Sequence, residues 1–471
     1  MGRRPTSARA APLAAAPRLA VPCLAALCLA ACAGAPPPRL AVAPSIASEA
    51  WSPLDPAEGA DVDQGWAAFR SDALLRLIAR ARAANTDIAV ARARIVQARG
   101  QLGVARAAAL PTLSASAGAE ALRASRNGPT VRTEGGSAGL DVAWDLDLFG
   151  EAKAGRRAAR ARLAAAGLQR DATALAVESE VARAYVAWAA LTDRLAVLDR
   201  ALANAREMER IILVRVREGA ATKVDSGLQT IEVKRIEAER SQMAEARGHA
   251  RNALALLVGE EAPLFAPAET GLDAFAFPDF RPVQPGALLV RRPDVRAAEA
   301  QIAAAEGDVE AARRAFLPSL RLSARGLGQS VAAGGPLQLL LSAGASLLAP
   351  IFDGGRLRGN LVTASGVQME AVETYRATLL TAVREGEDAL TALDASRQRV
   401  LLLSQTIEEA RLTARLARRQ YVEGAADLQT VLDAERGLLD LEDSHALAAQ
   451  DRLDAAIDLY RAMGGTAATS G

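Results

Sequence analysis

"SAGLDVAWDLDLFG", Ser137 to Gly150, decides the fold. Leu140, Val142, Trp144, Leu146 and Leu148 take one set of alternate positions; Ser137, Gly139, Asp141, Ala143, Asp145 and Asp147 take the other. Strict alternation marks a strand with two unlike faces, one apolar and one carrying aspartates. The chain that follows is rich in Ala, Leu and Arg and reads as helix from Glu151 with no strong breaker before Gly219. Val181, Tyr185, Trp188, Leu191, Leu195, Leu198 and Leu202 fall at spacings of three and four, a coiled-coil-like seam. At 1.5 Å per residue this helix is about 100 Å long, more than globular domains usually hold.

Composition supports long helices. Of 471 residues 51% are hydrophobic but only 3% aromatic, which suits close helix packing better than a thick core. Lys and Arg number 56 against 55 acids, so binding to nucleic acid by bulk charge is excluded as a function, and no nucleic-acid partner is expected. No apolar run long enough for a membrane helix follows the N-terminal segment. In that segment Arg3, Arg4, Arg9 and Arg18 precede an apolar run, Leu19 to Ala31, that ends "LAAC". This is a secretory signal. Small residues before Cys32 resemble the lipobox of bacterial lipoproteins, which implies a signal peptide over 1–31 and acylation of Cys32. Ala33 follows in place of the aspartate that retains lipoproteins at the inner membrane. An ordinary signal peptide that contains cysteines is the alternative. Cys23, Cys28 and Cys32 are the only cysteines, so the processed chain has no structural disulfide.

The chain repeats itself. "ARAAALPTL" (105–113) resembles "ARRAFLPSL" (312–320), "LDLFGEAKAGRR" (146–157) resembles "APIFDGGRLRG" (349–359), and "VREGAATKVD" (216–225) resembles "YVEGAADLQT" (421–430). The pairs keep their order and are offset by 203 to 207 residues, which marks a tandem duplication. The divisions expected are a lipidated tether over 32–65, one repeat over 66–260, a linker over 261–286, a second repeat over 287–465 and a tail over 466–471. Five prolines exclude helix from the linker, which is expected to cross the surface. Each repeat reads helix, strand, strand, helix, tight turn, helix. In the first, one helix is expected over Asp72–Ala109, ended by Leu110-Pro111. In the second, helices are expected from Pro293, over 354–421 and over 427–463, with strands near 319–329 and 338–351.

Four strands with one apolar face cannot span lipid alone. An open sheet edge leaves backbone groups unsatisfied there, and membrane barrels need at least about eight strands. Copies of the chain must therefore share a barrel, with Leu140, Val142, Trp144 and Leu146 facing lipid. Asp145 and Asp147 either line the lumen or serve the strand-to-helix junction. A small soluble sheet that caps a helical bundle is the alternative.

"AWDLDLFG" (143–150), "RRPDV" (291–295), "LPSL" (317–320), "IFDGGR" (351–356), "YVEGAADLQTVLDAERGLLDLE" (421–442) and "LYRAMGG" (459–465) resemble the outer-membrane efflux lipoproteins of the TolC superfamily, OprM/NodT branch. The resemblance implies an α+β membrane protein with a tandem-repeat protomer of long coiled-coil helices and four strands. It implies a homotrimer that forms a twelve-stranded barrel in outer-membrane lipid and a helical tunnel through the periplasm. It implies a periplasmic adaptor and an inner-membrane pump of the resistance-nodulation-division type as partners, and export of small molecules such as drugs and toxic compounds. The tip turns, Glu218, Gly219, Ala220 and Glu423, Gly424, Ala425, match those that meet the adaptor. Tyr421 matches a gate tyrosine, and Asp433 an aspartate whose threefold ring constricts the entrance. Ala426 and Thr430 stand where TolC itself has a gate arginine and a second aspartate, so those ionic latches are not available. Gln429 is polar near the position of that branch's apolar constriction residue. From spacing alone, Tyr421 could be a seam tyrosine and Asp433 a solvated helix-start acid.

Enzyme chemistry finds no support. His249 and His445 are lone residues in expected helices, no Cys or His cluster has metal-ligand spacing, and no phosphate loop or nucleophile elbow occurs. No cofactor is expected. A duct for type I protein secretion and a periplasmic coiled-coil scaffold without a pore are the other readings.

Overall fold

Asp147 and Asp353 sit in the short connections, 147–150 and 349–355, by which the chain turns from strand to helix. The Asp147 carboxylate accepts from the amides of Ala152 and Lys153, and that of Asp353 from those of Gly355 and Leu357, at 2.8 to 3.0 Å. Gly150 and Gly355 precede the two longest helices with φ of 81° and 88°, a conformation that penalises a side chain. The side chains thus satisfy amides that a helix start leaves open.

The computed structural model describes residues 50–51, 60–124, 131–278, 280–330 and 335–465. The signal segment, Cys32, most of the expected tether and the 466–471 tail lie outside them. The described chain opens with β1 (Ala60–Asp61), followed by α1 (Asp72–Ala84), α2 (Thr86–Ala107), β2 (Thr112–Ala124), β3 (Val131–Leu146), α3 (Glu151–Arg217) and α4 (Lys223–Leu257). Then come β4 (Phe280–Arg281), the single turn α5 (Leu288–Arg291), α6 (Pro293–Arg314), β5 (Ser319–Ser330), β6 (Gln338–Leu348), α7 (Arg356–Glu423) and α8 (Leu428–Ala462). The plan of the first unit recurs in the second.

The first helix differs from expectation. It breaks at Asn85 and ends at Ala107. The Asn85 side-chain oxygen accepts from the amides of Asp87 and Ile88, and its Nδ2 donates to the Leu257 carbonyl. One residue caps α2 and ties the break to the end of α4.

The linker also differs. Its described residues hold no α-helix, as its prolines require, but it does not merely cross the surface. Phe265, Leu272, Phe275 and Phe280 are buried in the main core. Their neighbours include Trp66, Phe69, Tyr185 and Tyr460, with Tyr185–Phe275 at 5.6 Å and Trp66–Tyr460 at 4.6 Å between ring centroids, both edge-on. The end of the expected tether joins them: β1 pairs in parallel with β4, and the Trp51 indole donates to the Val283 carbonyl. A scarce aromatic complement is therefore concentrated in one girdle around α3, α7 and α8. Apolar side chains between prolines bury themselves without any periodicity to announce it.

The four long strands form one antiparallel sheet in the order β2-β3-β5-β6, and the β3–β5 pairing joins the two repeats. Trp144 pairs with Leu322, Val142 with Leu113 and Ala324, and Leu140 with Ala115 and Gly326. On β3 this face carries no charge between Leu146 and Gly136. Ten residues at about 3.3 Å, tilted about 40°, give an apolar band about 25 Å tall, the height of a barrel's lipid-facing wall.

Below the sheet, Asp454 on α8 lies near Glu180 and Arg183 of α3 and beside Gln450 and Asp451 of its own helix. One of its carboxylate oxygens is buried without a hydrogen bond. Burial pushes this carboxyl up to about 6. A carboxyl raised in the fold carries no penalty below its unfolded value and weakens the fold as pH climbs towards its folded one. Asp454→Asn is expected to raise stability by about 2 kcal/mol at about pH 7.5 and to leave it unchanged at about pH 3. Melting curves of variant and parent at the two pH values check this.

Candidate functional site

Two regions carry the expected site residues: the sheet and the helical tip. On the sheet, Leu140 and Val142 are exposed on the apolar face, and Trp144 and Leu146 are half-buried. The Trp144 indole donates to the Ala109 carbonyl at 3.1 Å, which fixes it at the foot of the sheet, beside the end of α2. On the opposite face Asp145 accepts a two-pronged bond from Arg321 at 2.6 and 2.8 Å, and Asp141 pairs with Arg325 at 3.1 Å. The two roles left open for the aspartates divide between them. Asp145 belongs to the polar face of the sheet and Asp147 to the junction.

The tip is built from the ends of α3 and α7 and the starts of α4 and α8. Gly219 and Gly424 both have φ of 78° and nothing within 4 Å of where a Cβ would stand. Glu218, Gly219, Ala220, Glu423, Gly424 and Ala425 are all exposed. Thr222 and Asp225 form a capping box for α4, and Asp427 caps α8 by accepting from Thr430.

The three expected gate residues do not share one surface. Gln429 donates to the Asp433 carboxylate at 2.8 Å on an exposed face of α8. Tyr421 is only 5% exposed and packs with Met208 and Ile212 of α3 and with Leu428, Val431 and Leu432 of α8. Burial raises the pKa of its phenol, whose oxygen has no hydrogen-bond partner among the described residues.

Sequence reasoning missed Arg215. Its guanidinium donates to the carbonyls of Tyr421 and Val422 at 2.8 and 3.0 Å and lies 4.9 Å from the Tyr421 ring centroid. A cation on the last carbonyls of α7 complements that helix end. The same contact joins the pair α3 and α4 to the pair α7 and α8. A second tie lies further up: Glu232 of α4, its side chain 5% exposed, accepts from Arg235 and from Arg436 of α8. Burial opposes ionisation of Glu232, but the two arginines outweigh it and hold the carboxyl below its usual range. Arg436 stands one turn of α8 beyond the exposed Asp433, and nothing in the spacing marks it as a tie; only the packing of α8 on α3 and α4 shows it.

A family model for outer membrane efflux proteins matches residues 77–260 and 285–465. The chain belongs to the outer membrane efflux protein family. It is 33% identical over 421 residues to the pyoverdine export outer membrane protein OpmQ of Pseudomonas aeruginosa, covering 87% of this chain and 88% of that one. Outer membrane protein OprJ of the same organism is 32% identical over 453 residues, covering 92% and 93%. The crystal structure of the open state of the MtrE outer membrane channel of Neisseria gonorrhoeae superposes with a TM-score of 0.81 at 26% identity, covering 91% and 98%. The protein is an outer-membrane efflux channel. Family members are exit ducts, not enzymes.

The open space around Gly424 makes its backbone conformation testable alone. Gly424→Ala is expected to cost about 1 kcal/mol of stability through the left-handed backbone, with no loss of packing. Thermal melting measures it, with Glu423→Ala as the control: this exposed neighbour is expected to change stability by under about 0.5 kcal/mol.

Proposed function

We propose that three copies of this chain close one barrel and one helical tunnel, and that the assembly is the passive exit of a tripartite pump. The sheet carries the reading. Its outer strands β2 and β6 each leave one edge unpaired, and within lipid those edges need partners. The β6 strand of one copy meets β2 of the next. Four strands from each of three copies make a closed wall with the apolar face outward, against lipid.

At the other end, Glu218, Gly219, Ala220, Glu423, Gly424 and Ala425 form the surface that meets a periplasmic adaptor, which links the duct to an inner-membrane pump. Gln429 and Asp433 line the entrance. Three Asp433 carboxylates in a ring repel one another and attract cations. Tyr421 works from behind. With Arg215 it seats α7 and α8 against α3, so the entrance widens only when this seat is left. Acylation of Cys32 adds a lipid anchor to the barrel's own hold on the membrane. A small-molecule cargo handed over by the pump fits a duct without a catalytic site.

Asp433→Ala and Arg215→Ala are each expected to raise single-channel conductance in planar bilayers, the first by removing the ring and the second by releasing the seat. Conductance unchanged in both variants counts against this gate. Cys32→Ser is expected to abolish metabolic labelling by radioactive fatty acid; label retained in that variant refutes the acylation site.

A further inference from the structure

The Asp145–Arg321 and Asp141–Arg325 pairs lie on the face opposite the apolar band, at heights that the band covers. In a bilayer-crossing wall, charges belong on the water-filled side. Ser323 lies between Arg321 and Arg325 along β5, and each pair bridges β3 and β5, the seam between the two repeats. Glu120 is the remaining ionisable residue on this face; it stands opposite Gly135 and has no ion-pair partner among the described residues.

From this ladder we infer that the periplasmic half of the barrel is lined by a charge-balanced zone, made zwitterionic by two Asp–Arg rungs per copy, and that these rungs keep the duct open to solutes of either sign. The inference rests on the trimeric closure proposed above. Each rung then repeats threefold as a ring of alternating charge. Twelve strands, four from each of three copies, at about 4.8 Å spacing and about 40° tilt enclose a backbone diameter of about 24 Å. Side chains narrow that further, so the lumen axis lies within about one Debye length, about 10 Å at 0.1 M salt, of the charged wall. An uncompensated ring would therefore act on a passing ion. Pairing each carboxylate with a guanidinium cancels most of its field along the axis. A solute that carries both signs can also exchange partners with a rung, whereas a bare ring would hold one sign and repel the other.

The test is the reversal potential of purified channels in planar bilayers under a potassium chloride gradient. Asp145→Asn with Asp141→Asn leaves six unpaired guanidinium groups in the closed barrel. It is expected to shift the cation-to-anion permeability ratio towards anions by about threefold or more at about 0.1 M salt, and by much less at about 1 M, where screening shortens to about 3 Å. Arg321→Gln with Arg325→Gln is expected to shift it towards cations. The exchanged pair, Asp145→Arg with Arg321→Asp, keeps a rung and is expected to stay near the parent. If both charge-removing variants conduct like the parent with an unmoved reversal potential, this role of the rungs is refuted. Parent protein that is folded but forms no conducting pore refutes the trimeric duct instead.

Discussion

In hydrocarbon every backbone amide and carbonyl needs a partner, and the structure follows from that requirement. A sheet of four strands with two free edges cannot meet it alone. The duplication supplies half of the answer within the chain, because β3 and β5 join one hairpin of each repeat into a single sheet. In the trimer proposed above, neighbouring copies supply the rest. The long helices follow from the sheet: in each repeat one strand leads, over a short connection, into a helix of 67 or 68 residues.

Much of this was legible in the sequence because it rests on period and punctuation. The alternation from Ser137 to Leu146 places every side chain on its observed face, and Glu151 begins its helix where expected. Of the seam residues, Tyr185, Leu198 and Leu202 are buried as their spacing requires, and Leu191 is half-buried. What stayed hidden lacks a period. The apolar residues of 261–286 give no repeating signal, so their place in the girdle became visible only in three dimensions. Asn85 reads as an ordinary polar residue until the Leu257 carbonyl appears beside it.

The tip shows the same limit. Capping residues such as Thr222 and Asp427 act on their own helices and can be read locally. Arg215 acts on another helix, 206 positions away, and only the shared packing of α3, α7 and α8 reveals it. Tyr421 is both a seam tyrosine, as spacing alone allowed, and part of the contact that seats α7 on α3. The two descriptions are not in competition: a tyrosine packed in the seam is also placed to hold one helix against the other.

The junctions at Asp147 and Asp353 have a mechanical consequence. A flexible loop between sheet and helix would let the lower part of each copy swing without disturbing the wall. Here the aspartate of each short connection is hydrogen-bonded to the first amides of its helix, which makes a joint of the two. The Arg314 guanidinium on the Phe149 carbonyl stiffens it from the other repeat. Such a joint transmits torque. A twist applied to the helices is then taken up lower down, as bending between the girdle and the tip.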